Sequence, residues 1–382
     1  MRILQLAQKP QRRGAEVFAR QLGDWLAGAG HEVRHAYLYR HDGESPLPLG
    51  PDDAALGFRQ EAPAERLPIG NPALLAALLR LVRDLRPDVV QANGGRSVKY
   101  AALLALASPG RRWRLVYRNI DSPRFWVRGA ARRLYMRRLV MPRVDGIVGV
   151  SRQTFDEVYD FYRLDAPGVL IPNGIDLAPL ADPPPRDEAR AALGIPPERV
   201  AVLFFGALTA QKRPERFVRL IRRLREAGED VEGWVLGDGE GRARMEAEAA
   251  AGVGEAMRFL GSRPRVAPVL AAADLLASTS DTEGIPAAVL EAAYLGLPVA
   301  GFAVGGMPEC VRHGETGLLA PAGDEDELLR LVRRLVRDPG ERRALGAAGR
   351  RFVADGFSME SVGRRYEAFY RRLLAPLPGG AG

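Results

Sequence analysis

Short apolar runs alternate with longer Ala-, Leu- and Arg-rich stretches of helical period along the 382 residues, and this alternation stops once and starts again. The first series predicts strands at 2–7, 32–38, 88–92, 114–118, 146–150 and 168–171, with helices such as 15–29, 72–85 and 153–161 between them. The break follows Asn173-Gly174-Ile175-Asp176, where Pro179, Pro183, Pro184 and Pro185 give linker composition. The second series predicts strands at 200–205, 233–236, 257–260, 274–277, 298–302 and 317–320. Strand–helix alternation builds parallel sheets covered on both faces. The expected fold is therefore α/β, two doubly wound domains facing across a cleft. The expected boundaries are 1–178 and 179–357, with a helix near 358–376, bearing Tyr366, Phe369 and Tyr370, packing back onto the first domain. Residues 41–71, rich in Pro and Gly, read as one long loop.

The sequence contains no apolar run of the ~18 residues that a membrane-spanning helix needs. Residues 1–7 read as a strand rather than a signal peptide. The single cysteine, Cys310, excludes an internal disulfide and a cysteine-based zinc cluster, so the expected compartment is the cytoplasm. The net charge, 55 − 47 = +8, is unevenly placed. Residues 111–143 hold eleven arginines against one acid, Asp121, or +10, leaving the remainder at −2. That segment reads either as a solvated face or as a surface for an anionic partner, such as the inner face of a membrane. On a helix, Arg124, Arg128 and Arg132 would share one side while Arg133 and Arg137 lie nearly opposite, which suits peripheral adsorption better than insertion.

The chain has 52 arginines and three lysines, Lys9, Lys99 and Lys212, so a lysine here is a residue spared from a strong bias. Lys212 and Arg213 follow a predicted strand through Phe205-Gly206-Ala207, and paired bases at the carboxyl end of a strand are placed to neutralise a diphosphate. In Glu283-Gly284-Ile285-Pro286, the proline suits the first turn of a helix, with Glu283 just before it and Glu291 about one and a half turns inside. Carboxylates there can accept hydrogen bonds from sugar hydroxyls, while the helix N-terminus attracts phosphate. The plainer alternative makes Glu291 a solvent-facing charge and Glu283 a helix-end charge. Leu236-Gly237-Asp238-Gly239 reads as a tight turn, Gly305-Gly306 as a flexible turn before a helix start, and Gly14 as a point where backbone can approach a phosphate. The four histidines form no zinc motif, and neither a Gly-x-Ser-x-Gly elbow nor a Walker A loop occurs, so neither a metal nor a cofactor is expected.

Taken in order, these pieces resemble glycosyltransferase family 4, built on the GT-B fold of two Rossmann-like domains. The resemblance is densest over 171–320: Glu283 and Glu291 in Glu-Gly-Ile-Pro, then Gly296-Leu297-Pro298-Val299, Ile171-Pro172-Asn173-Gly174, Gly305-Gly306 and Thr316-Gly317-Leu318-Leu319. It implies a retaining transferase that uses a nucleotide-diphosphate sugar without a metal. Glu283 would bind donor-sugar hydroxyls, Glu291 the ribose and Lys212 the diphosphate, with backbone amides of Gly284, Ile285 and Gly14 assisting and the base near Arg263. Gly206 would open the phosphate loop. The chain departs from the family pattern in three places. Ala207 stands where an arginine is usual, leaving Arg213 to take its place, and Arg13 stands before Gly14 in place of glycine. No histidine occurs in Val116-Tyr117-Arg118-Asn119-Ile120-Asp121, so Arg118, Asn119, Asp121 and Asn93 are the acceptor-side candidates. The acceptor is expected to be a glycan, a lipid or a small molecule, anionic if the arginine segment serves it. A degenerate nucleotide-sugar-binding protein is the alternative; no recognition motif favours nucleic acid.

Overall fold

The computed structural model describes residues 1–11, 14–42, 46–63, 70–120, 122–127, 129–196 and 198–375. Along the chain run β1 (Arg2–Ala7), α1 (Gly14–Gly28), β2 (Glu32–Tyr39), β3 (Ala54–Phe58), α2 (Pro72–Leu85), β4 (Val89–Asn93), α3 (Gly95–Leu106) and β5 (Arg114–Asn119). There follow α4 (Pro123–Trp126), α5 (Ala130–Tyr135), β6 (Gly146–Gly149), α6 (Arg152–Tyr162) and β7 (Gly168–Leu170). Then come α7 (Arg186–Ala192), β8 (Val200–Phe205), α8 (Pro214–Glu226), β9 (Val231–Leu236), α9 (Arg242–Gly252), β10 (Met257–Gly261), α10 (Ala267–Ala272) and β11 (Leu275–Ser278). The chain continues through α11 (Ala287–Tyr294), β12 (Val299–Phe302), α12 (Met307–Cys310), β13 (Gly317–Ala320), α13 (Glu325–Arg337), α14 (Pro339–Phe357) and α15 (Met359–Leu374).

These elements form two compact units, Met1–Gly174 with Met359–Gly382, and Ile175–Ser358. The chain changes unit at 174/175, four residues before the expected 178/179. Ile175 is buried in the second unit's core and donates its amide to the carbonyl of Phe357 at 2.8 Å.

The first unit is a seven-stranded parallel sheet in the order β3-β2-β1-β4-β5-β6-β7. Helix α1 (Phe18, Leu22, Leu26) and α15 (Val362, Tyr366, Phe369, Tyr370) cover one face; α2, α3 and α6 cover the other. Helix α15 is fixed by more than apolar contact: Trp25 donates to Glu360 at 2.6 Å and Tyr370 to Gln91 at 2.5 Å. The second unit is a six-stranded parallel sheet in the order β10-β9-β8-β11-β12-β13. Each sheet reverses its winding once, between β1 and β4 and between β8 and β11. Loops leaving the carboxyl ends of the two central strands diverge at such a point, which makes it the natural ligand crevice of an open α/β sheet.

Two expectations need correction. The 41–71 stretch is not one loop, because β3 pairs in parallel with β2. Its sequence, Ala-Ala-Leu-Gly-Phe, has no β-branched residue and carries a glycine, so it lacks the usual strand signal. It forms anyway, at the sheet edge. The arginine-rich segment 111–143 is not one solvated helix face either. It contains β5, α4, α5, a π-turn at Met136–Val140 and a 3-10 turn at Met141–Arg143. Arg118 is fully buried, Arg111 pairs with Asp145 and stacks on Trp113, and Arg133 stacks on Phe161. Arg112, Arg124, Arg132 and Arg138 remain exposed, with Leu134 among them at 56%. Arg128 lies outside the described residues.

Candidate functional site

The loops after β8 and β11, at the switch point of the second unit, carry most of the residues singled out from the sequence. After β8 the chain turns through Gly206 and a single 3-10 turn, Ala210–Lys212, into α8. The Lys212 ammonium donates to Glu283 Oε1 at 2.5 Å, and Ser280 Oγ donates to the same oxygen at 2.6 Å. The Glu283 side chain is only 8% exposed. Both hydrogen bonds satisfy a carboxylate oxygen that is largely shielded from water. The lysine stem passes over Gly206: a side-chain carbon built there would sit 3.8 Å from Lys212 Cε. Gly206 in turn lines a cavity of about 250 Å³ with Ala207, Gly237, Asp238, Ser262 and Arg263, among others. Gly206, Lys212, Glu283 and Arg263 therefore surround one region of the second unit.

Both glycine turns bring backbone close to backbone, the first as the tight turn expected, the second, Gly305-Gly306, in place of a flexible one. Gly237 has φ +138°, and a Cβ there would lie 2.0 Å from the carbonyl oxygen of Gly206. Gly305, at φ +53°, would place a Cβ 1.9 Å from the carbonyl oxygen of Glu283, and Gly306 donates its amide to that oxygen at 2.9 Å. The Glu283 loop is thus seated on the Gly305–Gly306 pair. Pro286 stands at the N-cap of α11, one position earlier than expected. Among the described residues no acceptor takes the amide of Gly284 or Ile285, while the Ile285 side chain is buried in the core.

Glu291, on the second turn of α11, is half-buried and pairs with no side chain among the described residues. Desolvation raises its pKa from 4.5 to about 7. The folded chain therefore holds a proton that the unfolded chain releases at lower pH, and this group's contribution to stability is lost as pH rises through that window. An ionised carboxylate accepts hydroxyl hydrogen bonds more strongly than a protonated one, so a ligand whose hydroxyls reach Glu291 should bind up to about tenfold more tightly at pH 8 than at pH 6. Calorimetry at both values checks this, and Glu291→Gln should flatten the dependence.

Arg213 does not reach toward Lys212. Its guanidinium pairs with Asp281 at 2.5 Å and Glu215 at 3.5 Å. The sequence reading missed Ser280, and it missed Thr279 and Asp281, which bind the Lys212 turn. Short polar residues in a loop carry no signal of the loop they will face.

At the switch point of the first unit, a cavity of about 370 Å³ is lined by residues that include Glu16, Asn93, Arg96, Ser97, Tyr117 and Arg132. Among the described acceptor-side candidates only Asn93 lines it, its amide donating to Gln5 at 3.0 Å. Asn119 is wholly buried and structural: it donates to the carbonyl of Thr154 at 2.8 Å and accepts from the Tyr117 hydroxyl at 2.8 Å. Arg118 lies 4.1 Å from the Phe18 ring and donates to Asn173 at 2.5 Å. Its burial lowers the guanidinium pKa, opposed by the neighbouring Tyr366. Gly14 opens α1 in this first unit, and Asp121 lies outside the described residues.

Two doubly wound units, one with a lysine–glutamate pair at its switch point, define a two-domain α/β protein. Residues 185–352 match the family model described as glycosyl transferases group 1, and residues 12–179 match that of glycosyltransferase family 4. The chain belongs to glycosyltransferase family 4. Among curated proteins it is similar to 2-deoxystreptamine glucosyltransferase of Streptomyces kanamyceticus, 35% identical over 52% of this chain and 55% of that one. It is also similar to D-inositol 3-phosphate glycosyltransferase of Rhodococcus opacus, 34% identical over 58% and 52%. The chain thus spans a little over half the length of these relatives. In fold it is similar to HepE of Anabaena in complex with UDP and glucose, with a TM-score of 0.78 and 18% identity over 97% of this chain and 100% of that one. Sucrose-phosphate synthase of Thermosynechococcus elongatus gives 0.79 and 22% over 98% and 99%. These neighbours establish the GT-B fold.

Proposed function

We propose that this protein is a retaining glycosyltransferase whose second unit holds a nucleoside-diphosphate sugar. The observation that carries the reading is the Lys212–Glu283 pair beside the cavity lined by Gly206 and Arg263. In this reading Lys212 neutralises the diphosphate, Glu283 accepts sugar hydroxyls, Glu291 accepts the ribose and the free amides of Gly284 and Ile285 meet the phosphate. The bond from the anomeric carbon to the diphosphate breaks with its electron pair on the leaving oxygen. The acceptor oxygen bonds to the same face, and the leaving phosphate takes its proton. Such a reaction needs charge stabilisation at the leaving group more than a protein nucleophile. The HepE complex with UDP favours a uridine donor, and relatives named for 2-deoxystreptamine and D-inositol 3-phosphate favour a small hydroxylated acceptor. We assign that acceptor to the first unit, around Asn93 and the cavity it lines.

Calorimetry with UDP, GDP and ADP, on the wild type beside Lys212→Ala and Glu291→Ala, tests this reading. One nucleotide should bind, both variants should weaken it, and turnover of its sugar conjugate should survive EDTA. Binding of none would leave a degenerate protein that shares only the fold.

The exposed arginines around Leu134 extend the proposal to an anionic membrane surface as workplace. Co-sedimentation with anionic vesicles at low salt should be strong, and lost when Arg132, Arg133, Arg137 and Arg138 are neutralised. Absence of binding by the wild type at low salt would remove the membrane from the account. No described helix is long and apolar enough to cross one.

A further inference from the structure

Every second residue of the loop after β11 reaches the Lys212 turn. Thr279, wholly buried, points its hydroxyl at the carbonyl oxygens of both Lys212 and Arg213, 3.1 Å from each. The Asp281 amide donates to the carbonyl of Gln211 at 3.0 Å, and its carboxylate takes the guanidinium groups of Arg213 and Arg216. Glu283 takes the Lys212 ammonium itself. The turn needs holding. Arg213 sits at φ +48°, ψ 55°, a left-handed conformation that a bulky side chain rarely adopts, and Pro214, lacking an N–H, follows it. The carbonyl of Arg213 already accepts the Arg216 amide in the first turn of α8, at 3.0 Å. The Thr279 hydroxyl hydrogen, shared between the Lys212 and Arg213 carbonyls as a three-centre bond, ties both to the loop after β11.

We propose that Thr279 is a positioning residue: it acts through the backbone of Lys212 and sets where the ammonium is presented. The inference rests on the donor-site reading above for its functional consequence, but not for its physical content. Asp281 and Arg216 act in the same direction from the far side of the turn, and Arg213 is a strut of this clamp.

The scarcity of lysine supplies the test. With only Lys9, Lys99 and Lys212 in the chain, amine acylation read by peptide mass spectrometry resolves each site, and Lys9 and Lys99 serve as internal references. In Thr279→Val, which keeps shape and loses the hydroxyl, Lys212 should label at least threefold faster with Lys9 and Lys99 unchanged. Thr279→Ser should return it to the wild-type rate. Donor affinity should fall about tenfold in the valine variant and recover in the serine one. Unchanged Lys212 labelling in folded Thr279→Val overturns the proposal, as does equal acceleration at all three lysines. If the valine variant does not fold, Thr279→Ala is read against Thr279→Ser by the same criteria. Labelling needs no nucleotide, so a wild type that binds none would sink the donor-site reading while leaving this result to stand or fall separately.

Discussion

Lys212→Ala is expected to lower kcat by about 10²–10³-fold, the loss typical when a preorganised charge-stabilising group is removed from the reacting centre. The cause is double. In the proposed reaction the leaving diphosphate loses its cation, and Glu283, 8% exposed, loses the ammonium that bonds and aims its carboxylate, leaving Ser280 alone on it. Lys212→Arg should restore little. An ammonium is a compact point donor and a guanidinium a planar fork, and the stem must pass over Gly206 before meeting Glu283. In a chain with 52 arginines, a position that refuses arginine is itself informative. Steady-state kinetics on the sugar conjugate of whichever nucleotide binds would measure both variants. Activity of Lys212→Arg near wild type would mean that only the charge matters there, not its shape.

Gly305→Ala should be among the most damaging small substitutions in the second unit. Its added carbon would lie 1.9 Å from the carbonyl oxygen of Glu283, and its backbone is left-handed at φ +53°. Strain and displacement together should cost about 3 kcal/mol, lowering Tm by roughly 6–12 °C for a unit of this size. Gly314→Ala is the matched control: φ is +78° but nothing lies within 4 Å, so only the conformational cost of about 1 kcal/mol applies. Nucleotide affinity should collapse in the first variant and hold in the second, because only the first moves the Glu283 loop. Equal melting temperatures and affinities for the two would show that the loop adjusts without consequence.

Most of the fold was legible because parallel strands buried on both faces must be continuously apolar. Strands at 2–7, 200–205 and 317–320 coincide with β1, β8 and β13 to the residue. The edge strand β3 was hidden because an edge needs only one good face, and Ala54-Ala55-Leu56-Gly57-Phe58 offers no more. At the candidate site, Lys212 and Glu283 stood out by rarity and context, and the structure joins them. Arg118 and Asn119 show the opposite case: polar residues at a strand end looked available for a substrate. The packing of Phe18, Asn173, Tyr117 and Thr154 around them consumes them, and those partners lie 2 to 100 residues away in the chain. Long-range hydrogen-bond demand leaves no local pattern. Neither does the pressure of one loop on another, which is why Gly305 read as an ordinary turn residue and Thr279 drew no reading at all.

Helix α15 imposes an order on biosynthesis. Residues 175–358 hold every strand and helix of their own unit, so that unit can close its core as soon as it clears the ribosome. The unit that is translated first cannot. One face of its sheet stays without Val362, Tyr366, Phe369 and Tyr370, and Gln91 without the hydroxyl that donates to it, until residues 359–374 emerge. The nascent chain therefore carries an uncovered apolar sheet face through the synthesis of nearly two hundred residues, an interval in which exposed apolar surface invites aggregation and premature termination yields an aggregation-prone fragment.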